Sequence, residues 1–393
     1  MHGGSILDLE FALEVAVLVL LASMLSRELG VSIAIVEILL GMAGGNLLDL
    51  EPTSWMLFLA SFASIVLTFL AGVEVDVGIL RSKFKESVAI GGISFLLPFL
   101  GAWLFTYWVL DWTSDASKIA GVALSTTSLA VVYAVLVETG LTNTTTGKVI
   151  MAATFVTDFG TAAALSILFI SPTLWLIPFV VVSALLIVGL PLLQPWFFGR
   201  YGNRVTEPEI KWVFVALFLL MYLGDKAESH AVLPAFLLGL AMSTSFAKYR
   251  TEQQRLRVVA FALLTPFFFL KAGMSISFSS LTANAGLIGV LFGVKVAAKI
   301  AGVYPFARRY LGQDAWYTTL LMSTGLTFGT ISTTYGLNAG IIDQDQFSIL
   351  LTVVILTAVV PTLIAQRFCQ PPLAGIAVAP SVQDQELMAE GGD

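Results

Sequence analysis

Cysteine occurs once in the 393 residues, at Cys369, and histidine only at His2 and His230. A single thiol excludes a disulfide framework, and so few soft ligands exclude a metal-catalytic centre built on Cys and His. Charge is scarce too: Asp, Glu, Lys and Arg make up 12% of the chain against 57% hydrophobic residues, with a mean hydropathy of +0.90. That balance lies far outside the makeup of soluble domains. No phosphate-cradling glycine loop, nucleophile motif or basic nucleic-acid patch is present, so neither an enzyme, a nucleotide-binding domain nor a nucleic-acid partner is expected, and no cofactor.

What is there is apolar sequence almost end to end. A bilayer core of about 30 Å needs roughly 20 apolar residues per spanning helix, and the long runs lack the strict alternation of a transmembrane β-barrel. Breaks at polar, Gly and Pro positions predict an all-α polytopic membrane protein of about thirteen spans, at 7–26, 31–48, 55–73, 87–110, 118–137, 146–170, 173–193, 209–224, 231–246, 256–270, 283–307, 315–337 and 346–367. The first is read as a helix and not a signal peptide, because no Lys or Arg precedes Leu7. With the N-terminus outside, fifteen Lys and Arg of the connections fall inside, among them Arg81, Lys83, Arg204, Arg255 and Arg257, and only Lys118, Lys226 and Lys271 fall outside. This is the asymmetry of an inner (plasma) membrane protein with a cytoplasmic C-terminus. Residues 370–393, rich in Pro, Gln, Gly and acids, are expected to form a disordered acidic tail after a membrane domain of residues 1–369.

An ionisable group near the bilayer centre costs at least about 2.5 kcal/mol, so each is a functional candidate. Asp158 falls at the middle of the sixth span, with Thr154 and Thr161 on its helical face and Thr157 beside it. Lys295 and Lys299 stand one turn apart in the eleventh span, and either is placed to balance Asp158. A static buried pair that only fixes helix packing is the alternative reading of these charges. Glu37 in the second span and Lys271 at the end of the tenth are secondary candidates, each equally explained by interfacial snorkelling or a local hydrogen bond.

Two spans look breakable. The fifth carries four consecutive hydroxyls, Ser125-Thr126-Thr127-Ser128, and the twelfth carries Ser323-Thr324-Gly325-Leu326-Thr327 with Gly329. Hydroxyl side chains replace lost backbone hydrogen bonds in such a break. The fourth to sixth spans recur as the eleventh to thirteenth, an odd offset that inverts the repeat. Interrupted helices of inverted repeats meet at the ion site in secondary transporters. This predicts two crossing interrupted helices in a core of about 87–170 and 283–367, with 7–73 and 173–270 as scaffold.

In this order, Val36-Glu37-Ile38-Leu39-Leu40-Gly41, Phe69-Leu70-Ala71-Gly72-Val73-Glu74-Val75-Asp76, Pro234-Ala235-Phe236-Leu237-Leu238-Gly239 and Pro266-Phe267-Phe268-Phe269-Leu270-Lys271-Ala272-Gly273 resemble the monovalent cation:proton antiporter-2 family, over nearly the whole membrane portion. The resemblance implies that Thr157 and Asp158 occupy the ion-binding pair, that Lys299 in Ala298-Lys299-Ile300-Ala301-Gly302 is the family lysine, and that Thr127-Ser128 match the crossover. The first position of the acidic pair, and the acid that some relatives carry near Thr324-Gly325-Leu326-Thr327, are absent here. It further implies a homodimer working by elevator-type alternating access.

The expected function is therefore antiport of a monovalent cation, Na+ or alternatively K+ or Li+, against H+. The two ions would compete for Asp158, with Thr157 and backbone carbonyls of the two breaks completing the oxygen shell. With a single acid the expected exchange is electroneutral. Rival readings are a potassium-efflux antiporter, a sodium-coupled symporter of a small organic anion, which needs a larger polar cavity, and an intramembrane transferase, for which Glu74 and Asp76 are the only near approach to an acidic metal cluster.

Overall fold

The computed structural model describes residues 3–30, 32–170, 173–202 and 206–371. Most of the expected acidic tail, and Arg204, lie outside the described residues. Within them every regular element is helical: α1 (Gly3–Leu29), α2 (Ile33–Leu47), α3 (Ser54–Val73), α4 (Val77–Ser82), α5 (Phe84–Trp108), α6 (Ser114–Ser125), α7 (Leu129–Glu138), α8 (Thr145–Leu168) and α9 (Leu176–Tyr201). There follow α10 (Pro208–Lys226), α11 (Val232–Phe246), α12 (Arg250–Val259), α13 (Thr265–Met274), α14 (Phe278–Ala283), α15 (Ala285–Leu311), α16 (Ala315–Met322), α17 (Thr327–Asn338) and α18 (Gln344–Phe368). Among the described residues nine helical stretches are long and apolar enough to cross a membrane, and α2 and α11 are shorter apolar helices.

Helix starts follow from side chains that satisfy the free N–H groups of a first turn. Thr113, Thr144 and Asp76 cap α6, α8 and α4, and Asp343 with Gln346 forms a reciprocal capping box on α18. Three features differ from the sequence expectation. The seventh apolar segment runs on as α9 to Tyr201, through Pro191 and Pro195, since membrane helices tolerate proline where neighbours re-satisfy the freed carbonyls. The tenth is divided into α12 and α13 by a π-helical turn at Ala260–Leu264, two residues before Pro266. Two short helices, α4 and α14, occupy connections read as loops.

Glycine sets the tightest helix contacts. A side chain on Gly41 would strike the Leu270 backbone, and one on Gly273 the backbone of Ile38 and Met42, which locks α2 against α13. Gly72 and Gly239 do the same for α3 and α11, against Phe236 and Phe69. Elsewhere Gly91 lets α5 approach Ala153 of α8, and Gly121 lets α6 approach Phe99 of α5. Small residues of this kind allow membrane helices to gain dispersion contact that lipid cannot match. Gly239→Val should force α3 and α11 apart, at an overpacking cost of about 1–3 kcal/mol or more. Thermal melting in detergent checks this; an unchanged midpoint would contradict the packing described.

Candidate functional site

The two breaks expected in the sequence meet. Between α6 and α7 the backbone turns extended at Thr126 and Ser128, and between α16 and α17 residues Ser323 to Leu326 leave the helix, with Leu326 at φ -151°, ψ -79°. The Thr127 hydroxyl donates to the Met322 carbonyl at 2.9 Å, and the Ser128 backbone N–H donates to Thr324 Oγ1 at 3.3 Å. Ser128 also accepts from Val131 N at 3.5 Å, capping α7. These bonds replace part of what each helix loses at its break, which is how irregular backbone is tolerated at membrane depth. Thr327 opens α17.

Each break has a lysine from α15, and both lysines are fully buried. Lys299 Nζ donates to Ser94 Oγ at 2.8 Å, to the Ser125 carbonyl at 2.8 Å and to Thr127 Oγ1 at 3.1 Å. Its three N–H donors are thus occupied, and its charge sits on the carbonyl end of α6, the negative end of that helix. Lys295 Nζ donates to Thr357 Oγ1 at 3.0 Å and lies against Gly325, where any side chain would collide with the ammonium and with Thr126 Oγ1. That contact explains a glycine in the middle of the second break.

Asp158 is 2% exposed on α8. Its neighbours on the helix use their hydroxyl hydrogens on the backbone: Thr154 donates to Ile150 O at 2.9 Å, Thr157 to Thr154 O at 2.7 Å and Thr161 to Thr157 O at 2.9 Å. A threonine has one such hydrogen, so lone pairs are what these oxygens have left to offer. Thr154 also touches Met322 Sδ at 3.8 Å, which brings α8 against the carbonyl end of α16. The charges acting on Asp158 are those of Glu74 and Lys299. Lys299 is an electrostatic neighbour and not an ion-pair partner of Asp158 among the described residues, because its bonds go to Ser94, Ser125 and Thr127.

Glu74 was visible in the sequence only as part of a motif. It stands at the C-terminal end of α3, 3.5 Å from Arg257 of α12. Burial pushes its carboxyl up, and Arg257 pulls it back. The available signal was two acids closing one apolar span, of which Asp76 is used locally, accepting from Ile79 N at 2.9 Å. The secondary candidates lie elsewhere. Glu37 is fully buried on α2, which packs on α1 and α13, and neither of its carboxyl oxygens has a hydrogen-bond partner among the described residues. Lys271 Nζ donates to Asn338 Oδ1 at 3.0 Å, tying α13 to α17.

A helical protein with several membrane spans, with a buried acid on a helix that touches one of two hydrogen-bonded helix breaks, has the form of a secondary ion transporter. Residues 15–370 match the family model described as Sodium/hydrogen exchanger, transmembrane, and the chain belongs to that family. It is 26% identical over 350 residues to a "Probable Na(+)/H(+) antiporter 3" of Methanocaldococcus jannaschii, covering 86% of this chain and 89% of the relative. It is also 26% identical over 384 residues to the "Na(+)/H(+)-K(+) antiporter GerN" of Bacillus cereus, covering 92% and 97%. The solved structure of the sodium proton antiporter MjNhaP1 from M. jannaschii shares the fold, with a TM-score of 0.68 over 91% of this chain and 97% of that one at 16% identity.

Proposed function

We propose that this exchanger moves Na+ in one direction and H+ in the other by letting the two compete for Asp158. The observation that carries the reading is the combination around that residue: a buried carboxyl with threonines on its own helix whose hydroxyl hydrogens are already committed, one of which, Thr154, touches Met322 at the carbonyl end of a broken helix. A dehydrated monovalent cation is satisfied by such an oxygen shell, and a proton neutralises the same acid when the cation leaves. Thr157 and carbonyls of the α6–α7 and α16–α17 breaks complete the shell. Na+ is favoured over K+ because the relatives compared above are described as Na+/H+ antiporters, one of them also naming K+.

The movement we propose is an elevator: α5–α8 and α15–α18 slide as a core against a scaffold of α1–α3 and α9–α13, in thirteen spans related by inverted repeats. Supporting this division, the close glycine approaches stay within one group or the other. Gly41, Gly72, Gly239 and Gly273 serve the scaffold, while Gly91, Gly121, Gly325 and Gly329 serve the core. Between the groups the contacts run through side chains, such as Phe236 against Phe159 and Phe328 at 6.3 Å and the Leu233 N–H donating to Ser166 Oγ at 3.2 Å, which repack where interlocked backbones do not. The fifteen-to-three charge asymmetry supports an N-terminus outside and a cytoplasmic C-terminus in the plasma membrane. A homodimer formed through the scaffold is part of the same reading, supported by the apolar outer face of α9, where Ile177, Leu185, Val188 and Leu192 are exposed.

One Na+ per H+ is the stoichiometry proposed. Lys299 has all three donors engaged, so losing its proton would cost hydrogen bonds; this favours its remaining a fixed charge while Asp158 alone changes partner. Proteoliposomes carrying an outward Na+ gradient should acidify at a rate independent of an imposed potential. A rate that follows the potential would overturn the one-for-one exchange, and would direct attention to Lys295, held by a single hydroxyl.

A further inference from the structure

We propose that the cavity beside the α10–α11 connection binds small zwitterionic organic molecules, Lys271 taking their carboxylate and Asp225 and Glu228 their ammonium group. The cavity measures about 700 Å3 and is walled by α3, the end of α10 with the α10–α11 connection and the start of α11, α13 and α17. It lies in the range of small-molecule sites. At about 30 Å3 per water it would hold on the order of 20 waters, far more than one ion and its shell require.

Its polar groups are unmatched in a specific way. Lys271 is 5% exposed, and its one hydrogen-bond partner among the described residues, Asn338, is a neutral amide. Among the described residues no carboxylate forms an ion pair with it. A buried ammonium without a counter-anion is costly, and a ligand carboxylate supplies one. Thr334, 8% exposed on the α17 wall, has a hydroxyl with no hydrogen-bond partner among the described residues. Asp225 and Glu228, exposed residues of the same lining, likewise form no ion pair among the described residues. Burial pushes the His230 imidazole, packed 3.7 Å from the Tyr335 ring, down to about 4. It is therefore neutral near pH 7, and among the described residues Lys271 is the only cation in the lining. Leu57, Phe268 and Ile331 line the same space, which suits a short hydrocarbon between two charges. A free carboxylate would meet two repelling acids, and a free amine would leave Lys271 unpaired; a zwitterion satisfies both ends.

Calorimetric titration of the purified full chain in detergent tests this. The probes are 5-aminopentanoate and L-leucine, with pentanoate and pentylamine as singly charged analogues. At least one zwitterion should bind about tenfold or more tighter than either analogue, the worth of one charge-assisted hydrogen bond. Lys271→Met should abolish that advantage and leave pentylamine unaffected, and Thr334→Val should weaken the zwitterion by a smaller factor. No saturable zwitterion binding, or an analogue that binds as well, overturns the site; that comparison needs only the unaltered protein, whatever a variant does to folding. Because α13 and α17 belong to different moving bodies in the proposed function, the bound zwitterion should also slow exchange when added on the cavity side. This last expectation rests on the elevator reading. Binding without inhibition would refute the bridging effect and leave the site standing, whereas absence of exchange in the unliganded protein would refute the transport reading separately.

Discussion

Asp158→Asn should reduce Na+-driven proton movement in proteoliposomes to the rate of protein-free vesicles. Asparagine keeps the shape of the side chain and loses both properties the site needs, a negative charge for the cation and an oxygen that takes up a proton. The threonines around it remain, but neutral oxygens alone do not offset the desolvation of a monovalent cation. Folding should survive, because removing a buried charge that has no ion-pair partner among the described residues relieves a desolvation cost. An unchanged melting midpoint with lost exchange separates this outcome from simple damage. Exchange retained by Asp158→Asn would show that another group, with Glu74 the nearest acid in electrostatic terms, carries the ions.

Lys299→Met should have the largest effect on stability. It withdraws the donors that satisfy Ser94, the Ser125 carbonyl and Thr127, and a buried polar group left without its partner costs about 1–3 kcal/mol. The α6–α7 break would also lose the charge that offsets its carbonyl end. Lys295→Met should cost less, since Lys295 donates to one hydroxyl, Thr357. Thermal unfolding of the two variants in one detergent gives the order. If Lys295→Met proved the more damaging, the assignment of Lys299 as the structural cation of the crossover would be wrong.

The legibility of this molecule in its sequence follows the range of each interaction. Breaks announce themselves locally: four hydroxyls in a row at Ser125–Ser128, and glycine among hydroxyls at Ser323–Thr327, are poor helix and good replacement hydrogen bonding, and the helices stop there. Asp158 was conspicuous because apolar sequence surrounds it. Glu74 was not, since an acid closing a span looks like any interfacial acid, and only the packing of α3 beside α8 makes it a neighbour of Asp158. The same holds for Lys299, whose partners are 172 to 205 residues away; sequence spacing suggested an acid as its partner, and the fold supplies three neutral oxygens. The π-turn at Ala260–Leu264 has Pro266 as its local sign, but a proline does not say whether a helix will stop, kink or run on, as the uninterrupted α9 shows. The cavity around Lys271 depends on four elements meeting and had no local sign beyond one lysine at the end of a span.

The decisive measurement is the number of protons released when the purified protein binds Na+, obtained by calorimetric titration in buffers of different ionisation enthalpy. Competition at one carboxyl requires close to one proton released per Na+ bound at a pH where the acid is protonated, falling as the pH rises, and neither binding nor release in Asp158→Asn. Na+ binding with no proton release at any pH, or release that persists in the variant, would contradict it.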